Sequence, residues 1–485
     1  MVYTSAGLSG NSRPKRLSGR LMTAFLIILL SAAVFPAHAA EHPLKIAGAA
    51  KTKVGIYIED LRSGEVLMDV NADDAMVPAS VTKSLTAATA YSVFSPDGCF
   101  STPVAAVGKI KKGVLDGDVV ISTIGDPTIE SSHFADNAGF ADSIIGALQR
   151  LEIKEIKGTV VIDESNFVDS TIPDGWLRED IIECYGAGLY ASNFRDNRMI
   201  LSVPANTTRP HTPGIRVEYK GGKGKPRLSR HPNSNVFQVT GNTKRRSIHA
   251  TVANPAPAST MRAEVMREIE KAGIVIGEKP RGGKRPSESD IEKGEVIYVH
   301  RSPEVEDILR SLMFRSDNMM AEGMLRSLAS GQPRGEAVRF EKNFWLEKGF
   351  DISKLNIEDG SGLSRKDRIT PRFMAEVYKW MYHTDMAGGY VSLFPKAGRD
   401  GTMRNFMRDS ALAGRLATKT GSMRGVQCYG GYMLDEGGSP THVVVVFVNN
   451  FTCGRAGLKK EIGRLLTQVL LKDEAAEDVA ENVEN

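Results

Sequence analysis

The sequence predicts an α/β (α+β) fold, an antiparallel sheet with flanking helices, interrupted by a β-rich inserted domain. Three observations carry this reading. A helix-forming run follows Ser80 near the start of the chain, and two long strands and an amphipathic helix close it. From about Cys99 the texture changes to short β-rich runs between Gly/Asp turns. Finally, the polar clusters Ser80-Val81-Thr82-Lys83, Ser316-Asp317-Asn318 and Lys419-Thr420-Gly421 fall on both sides of that stretch, so the flanking pieces must meet.

Residues 1–39 read as a signal peptide. Arg13, Lys15, Arg16 and Arg20 form a basic region, Leu21 to Val34 is mostly apolar, and Ala37-His38-Ala39 supplies small alternating residues for cleavage before Ala40. An uncleaved anchor is the alternative, but the apolar stretch is well short of the roughly 20 residues that span a bilayer. An exported protein is expected, in the periplasm, with no stable membrane span.

The elements follow in order. Lys53 to Asp60 and Glu65 to Asp69 read as strands around the turn Arg62-Ser63-Gly64. Pro78 stands just ahead of Ser80, where its missing N–H is harmless at a helix start, and Ser84 to Ala90 continues the helix. Val104 to Val107, Val119 to Ile121 and Gly158 to Ile162 read as strands of the insertion. Residues 204–250 are rich in Pro, Asn, Gly and basic residues, and 278–287 reads as a surface loop. Helical periodicity returns at Thr260 to Ala272, Pro303 to Leu312, Asn318 to Leu328 and Arg372 to His383. Gly425 to Met433 and Thr441 to Asn449 are the closing strands; the run Val443-Val444-Val445-Val446 suits a central strand covered on both faces. Leu458 to Leu471 is the closing helix. The expected division is therefore 44–98 and 255–471 for the catalytic domain, 99–254 for the insertion, and 472–485 for an acidic, disordered tail.

Composition excludes little. A net charge of +4 is too mild to argue for a polyanionic partner. The basic runs Lys244-Arg245-Arg246 and 281–285 lack a reading helix or interleaved aromatics, so no nucleic acid is expected. The nine histidines show neither HExxH nor a tight cluster with cysteine or carboxylate, so neither metal nor other cofactor is expected. Cys428 and Cys453 are the pair best placed to bridge; equally, all four cysteines read as small buried apolar residues. Oligomeric state is not legible.

The three clusters carry the chemistry. Serine needs a base to become a nucleophile, and Lys83 lies one helical turn beyond Ser80 on the same face. Burial and a second ammonium, that of Lys419, would leave its amine partly neutral. The Ser316 hydroxyl can pass a proton to a leaving amide nitrogen. Asn318 can hold a substrate amide or orient Lys83, with Asp317 pointing away; a helix cap is the plainer reading of the same segment. Lys419 and Thr420 together suit a carboxylate, Gly421 lets a substrate backbone approach, and the N–H of Ser422 with that of Ser80 suits an oxyanion hole. Alone each motif is weak: about two Ser-x-x-Lys matches occur by chance in a chain this size. Their order and setting make the pattern.

Pro78-Ala79-Ser80-Val81-Thr82-Lys83-Ser84-Leu85-Thr86-Ala87 resembles the nucleophile segment of the penicillin-binding D-alanyl-D-alanine carboxypeptidase/endopeptidase family typified by penicillin-binding protein 4. Gly125-Asp126-Pro127-Thr128 and Gly175-Trp176 resemble signatures of its inserted domain, and Ser316-Asp317-Asn318 with Ala321-Glu322 has the family form. Asp359 to Arg365 and Gly398 to Thr402 resemble loops near its active site, and the resemblance runs from about residue 50 to 471. It implies a serine β-lactamase/DD-peptidase-like fold and an acyl-enzyme on Ser80. Peptidoglycan peptides would be the substrates and β-lactams would acylate the same serine. Ser422 stands where the family usually has threonine. Two other readings share the motifs. A β-lactamase would be shorter, with Ser-Asp-Asn close behind the nucleophile helix. A non-catalytic peptidoglycan-binding protein would usually have lost the serine or a lysine.

Overall fold

The computed structural model describes residues 43–484 apart from 168, 170, 244–246 and 330–332; the leader 1–39 and Lys244-Arg245-Arg246 lie outside the described residues. Five antiparallel strands form the first sheet, in the order Leu416–Met423, Val426–Leu434, Pro440–Asn449, Lys53–Asp60 and Val66–Val70. The β-branched run sits in the middle, as its composition requires. Val443, Val445 and Phe447 face a helical core built on Thr82–Val93, Val305–Arg315 and Pro371–Tyr382. Val444, Val446 and Val448 face Leu458, Ile462 and Leu466 of the closing helix. Period-two alternation thus feeds two cores from one strand.

The insertion builds its own sheets. Ser101–Lys111 and Val114–Ser122 are the long antiparallel pair of a six-stranded sheet, which packs on the amphipathic helix Phe140–Arg150. Two three-stranded sheets lie within 198–253 and share a small core of Met199, Leu201, Phe237 and Val239. The basic, proline-rich 204–250 stretch therefore contains a further subunit of the insertion.

Two element boundaries in the structure lie elsewhere than the sequence places them. The insertion does not close at 254: Pro257–Lys271 packs into its core through Met261, Val265 and Ile269, and Glu295–Arg301 pairs with Ser101–Lys111. The chain rejoins the first sheet's helices only at Val305–Arg315. Likewise the closing helix does not stop at Leu471 but runs Arg455–Glu484, through the stretch expected to be disordered. Its Ala and Glu residues are strong helix formers, and the preceding turns supply the nucleus. Of the two readings left open for the cysteines, the bridge between Cys428 and Cys453 is not formed: all four are free thiols, Cys428 buried and the other three half-buried.

Candidate active site

The turn that carries Ser80 is built by backbone strain and close packing. Ala79–Val81 forms a single 3₁₀ turn ahead of the helix Thr82–Val93, and Ala79 holds a φ of 48°. A non-glycine residue in the left-handed region is costly and survives only where its surroundings impose it. Here Gly362 abuts the carbonyl of Ala79 so closely that a Cβ would lie 2.0 Å from it, and the Thr82 hydroxyl donates to the same carbonyl at 3.0 Å. The helix behind is braced by Tyr390, whose hydroxyl donates to the Ser84 carbonyl at 2.8 Å.

Lys83 is fully buried and its amine donates to Ser80 Oγ at 3.1 Å, to Asn318 Oδ1 at 2.6 Å and to the Ser361 carbonyl at 2.6 Å. Burial pulls its pKa down to about 8 against the pull of Asp359, Asp317 and Glu322, which favour the charged form. Lys419 is buried too, and donates to Ser316 Oγ at 2.9 Å and to the Thr420 carbonyl at 2.8 Å. Burial first, and the Lys83 ammonium second, hold Lys419 well below the ordinary lysine range. The expected influence of Lys419 on Lys83 is thus seen in the reverse direction, and desolvation is the leading cause at both.

Each remaining motif residue has a distinct job in the geometry. Ser316 ends the helix Val305–Arg315 with a φ of 60°, which turns its hydroxyl toward Lys419. Asp317 caps the next helix, accepting from the Met320 N–H at 2.9 Å, and its other oxygen faces His133 and Arg198 of the insertion. Asn318 bridges: its Oδ1 takes the Lys83 amine, and its Nδ2 donates to the Tyr185 carbonyl at 2.8 Å. Gly421 is packed against the turn that carries Ser80. A Cβ there would lie 2.5 Å from the Pro78 carbonyl and 3.1 Å from the Ser80 nitrogen. Its missing side chain lets the edge strand lie against the turn of Ser80. Ser422, on the next register position, is exposed, and Thr420 Oγ1 meets Thr402 Oγ1 at 3.0 Å. A cleft of about 470 Å³ opens over these groups, lined by Ser80, Ser316, Asn318, Thr420 and Ser422, with Leu177, Asp180 and Tyr185 from the insertion. Lys83, Lys419 and Gly421 lie beneath it.

The insertion is keyed to this cleft by the two short segments singled out in it. Pro127 packs on Gly323 of the helix that Asn318 begins, where a Cβ would come within 3.2 Å. Trp176 donates its indole N–H to Asp359 at 2.7 Å, and Asp359 in turn accepts from the N–H groups of Ser361, Gly362 and Ser364. That loop presents the Ser361 carbonyl to Lys83.

Glu322 and Glu341 are the functional-site neighbours that sequence reasoning left without a role. Glu322, fully buried, accepts from the Gly360 and Ser361 N–H groups at 2.9 and 3.1 Å, and burial pushes its pKa up to about 7. Glu341, also buried, accepts from Thr89 Oγ1 at 3.2 Å while its Oε2 has no hydrogen-bond partner; burial pushes it up to about 8. The linkage sign is fixed by these values. The native state holds the Glu341 proton between about pH 4.5 and 8 where the unfolded state has lost it, so stability falls as pH rises through that window. Glu341→Gln removes this loss. Thermal unfolding should show the variant gaining on the parent from pH 5 to pH 9 by roughly 2–4 kcal/mol. A parallel pH dependence in both would refute the assignment.

Comparison with known proteins fixes the family. The model of the D-Ala-D-Ala carboxypeptidase 3 (S13) family matches residues 40–468. The chain belongs to that family. It is 26% identical over 431 residues to the D-alanyl-D-alanine carboxypeptidase DacB of Haemophilus influenzae, covering 83% of this chain and 86% of that one. It is 25% identical over 438 residues to the D-alanyl-D-alanine carboxypeptidase of Actinomadura sp. strain R39, covering 83% and 79%. The crystal structure of penicillin binding protein 4 from Haemophilus influenzae superposes with a TM-score of 0.72 at 24% identity, over 86% of this chain and 96% of that one. The same protein complexed with a β-lactam gives 0.69 at 23% identity, over 88% and 97%. The mixed helices and antiparallel sheets are those of this S13 fold.

Proposed function

We propose that this S13 enzyme is a penicillin-sensitive serine D-alanyl-D-alanine carboxypeptidase that cleaves the peptides of peptidoglycan through an acyl-enzyme on Ser80. The observation that carries the assignment to Ser80 is the buried Lys83 amine held 3.1 Å from its Oγ, with no other carboxylate or imidazole bonded to that hydroxyl among the described residues. Lys83, neutral in a substantial fraction near pH 8, takes the Ser80 proton as Oγ attacks the terminal peptide carbonyl. Negative charge develops on the carbonyl oxygen against the N–H groups of Ser80 and Ser422. The departing D-alanine nitrogen receives a proton through Ser316, whose hydroxyl already accepts from Lys419. Water then enters on the same base and releases the product.

Substrate recognition divides in a way the motif alone hides. Lys419 spends its buried amine on Ser316 and the Thr420 carbonyl, so the hydroxyls of Thr420 and Ser422 are the groups that meet a substrate carboxylate in the cleft. Insertion residues Leu177, Asp180 and Tyr185 wall the cleft opposite the edge strand, which suits a peptide long enough to touch both. An endopeptidase activity on cross-linked peptides uses the same acyl chemistry with a different leaving amine. Export to the periplasm fits the substrate and the leader composition; no helix among the described residues is long and apolar enough to cross a membrane.

The test is a side-by-side assay of a stem pentapeptide and a cross-linked dimer with the mature protein and Ser80→Ala. D-Alanine release by the parent alone supports the reading, and the dimer rate sets the endopeptidase share. Equal release by both proteins would remove Ser80 from the mechanism.

A further inference from the structure

Asp60 and His442 are directly opposed in the antiparallel pair formed by Lys53–Asp60 and Pro440–Asn449, so their side chains share a face. Period-two alternation makes it the face of Val444 and Val446, which the closing helix covers. Asp473 follows Leu466 and Leu470 on the buried stripe of that helix and so arrives over the same two residues. His442 Nε2 lies 2.9 Å from Asp473 Oδ2 and 3.7 Å from Asp60 Oδ2. The three ligand-type atoms lie within 4.8 Å of one another.

The surroundings prepare these atoms rather than satisfy them. Asp60 is 1% exposed, and its Oδ1 accepts from the Arg62 N–H at 2.9 Å, the Ser63 N–H at 2.5 Å and Ser63 Oγ at 2.8 Å. Its Oδ2, aimed at His442, has no hydrogen-bond partner. On the far side of the imidazole, His442 Nδ1 lies 2.9 Å from Thr441 Oγ1. With that nitrogen donating to the hydroxyl, the lone pair of Nε2 points at two carboxylate oxygens. With Nε2 unprotonated, three electron-rich atoms face one another in a buried site, an arrangement that a cation between them stabilises. A proton on Nε2 reaches only Asp473, and leaves Asp60 Oδ2 buried without a donor. A divalent ion satisfies all three at once, and ligands held about 2 Å from zinc stand roughly 3.3 Å apart, close to the 2.9 and 3.7 Å that separate His442 from the two carboxylates.

We propose that Asp60, His442 and Asp473 form a divalent transition-metal site that clamps the closing helix to the central strands. One imidazole and two carboxylates suit Zn²⁺ better than Mg²⁺, which favours all-oxygen ligands. Partial exposure of Asp473 gives an entry path and room for a water as fourth ligand. The anchored Asp60 carboxylate and the Thr441 contact are the outer supports that metal-binding carboxylates and histidines generally have. The site is far apart in sequence, on two strands and a helix, which is why no metal motif announces it.

The experiment titrates chelator-stripped mature protein with Zn²⁺ and, separately, Mg²⁺, following binding by calorimetry and Tm by scanning. Asp473→Asn and His442→Gln are run in parallel, with penicillin labelling reporting that each variant is folded. The expected result is about one Zn²⁺ bound per chain with a rise in Tm, little response to Mg²⁺, and at least about tenfold weaker Zn²⁺ binding in Asp473→Asn with the Tm rise lost. Asp473→Asn sits at the rim and decides the matter even if His442→Gln does not fold. Absence of stoichiometric Zn²⁺ binding would overturn the proposal and leave a protonated His442 as the cation. Binding that Asp473→Asn leaves unchanged would overturn it equally, by placing the ion elsewhere.

Discussion

Lys83→Met slows acylation of Ser80 by about 10³-fold, and Lys83→Arg does not restore it. The amine is the only base within hydrogen-bond reach of Ser80 Oγ among the described residues, and an arginine cannot become neutral at working pH. The same geometry predicts a pH profile. The basic form of Lys83 is the neutral one, so the rate of penicillin labelling rises with pH toward about 8 and levels beyond it. Asn318 and the Ser361 carbonyl keep the amine aimed in both protonation states. A labelling rate that is flat from about pH 6 to about pH 9 would contradict the role given to Lys83.

Gly421→Ala is the second large effect, and its origin is steric. The added methyl would lie 2.5 Å from the Pro78 carbonyl, 3.0 Å from the Val81 nitrogen and 3.1 Å from the Ser80 nitrogen, all backbone atoms. Neither partner is a flexible side chain, so the edge strand must move away from the nucleophile turn. Ser422, one position on, moves with it, and its N–H separates from that of Ser80, the pair proposed as oxyanion donors. A displacement of this order costs about 10²-fold in acylation. The fold should persist, because the other four strands of the sheet do not depend on this contact. Penicillin labelling kinetics and Tm together separate the outcomes. Unaltered labelling in a folded Gly421→Ala protein would mean that strand and turn are not as tightly matched as the coordinates show.

What was legible in the sequence was local. The helix after Ser80, the strand Lys53–Asp60 and the β-branched central strand all follow from propensity and period, and each is found within a few residues of its expected place. The three clusters could be read because each packs its chemistry into three or four consecutive residues. What was hidden is non-local. The end of the insertion is set by Glu295–Arg301 pairing with a strand laid down almost two hundred residues earlier, and no pattern near residue 254 signals it. The helix Arg334–Glu347 carries Glu341 and Trp345 into the core, yet its charged exterior masks that stripe. Lys83 illustrates the same limit at the site. Its neighbour in sequence was evident, whereas Asp359, Glu322 and the Ser361 carbonyl, which shape its charge, come from two other segments. The contact of Gly421 with the Pro78 carbonyl was hidden too, because a sequence cannot tell which neighbour a strand packs against.

The two short segments Gly125 to Thr128 and Gly175-Trp176 acquire a physical meaning from the structure. They are where the insertion touches the helix of Asn318 and the loop of Asp359. The insertion thus packs against the segments that hold the Lys83 amine, as well as walling the cleft.

The central claim is that Ser80 is the nucleophile, activated by Lys83. The most direct measurement incubates mature protein and Ser80→Ala with a reporter-tagged penicillin and locates the covalent adduct by peptide mass. The account predicts a persistent adduct on Ser80 in the parent and none in the variant. An adduct on another residue, or label of equal yield in Ser80→Ala, would contradict it; rapid loss of label with release of hydrolysed penicillin would make the protein a β-lactamase instead.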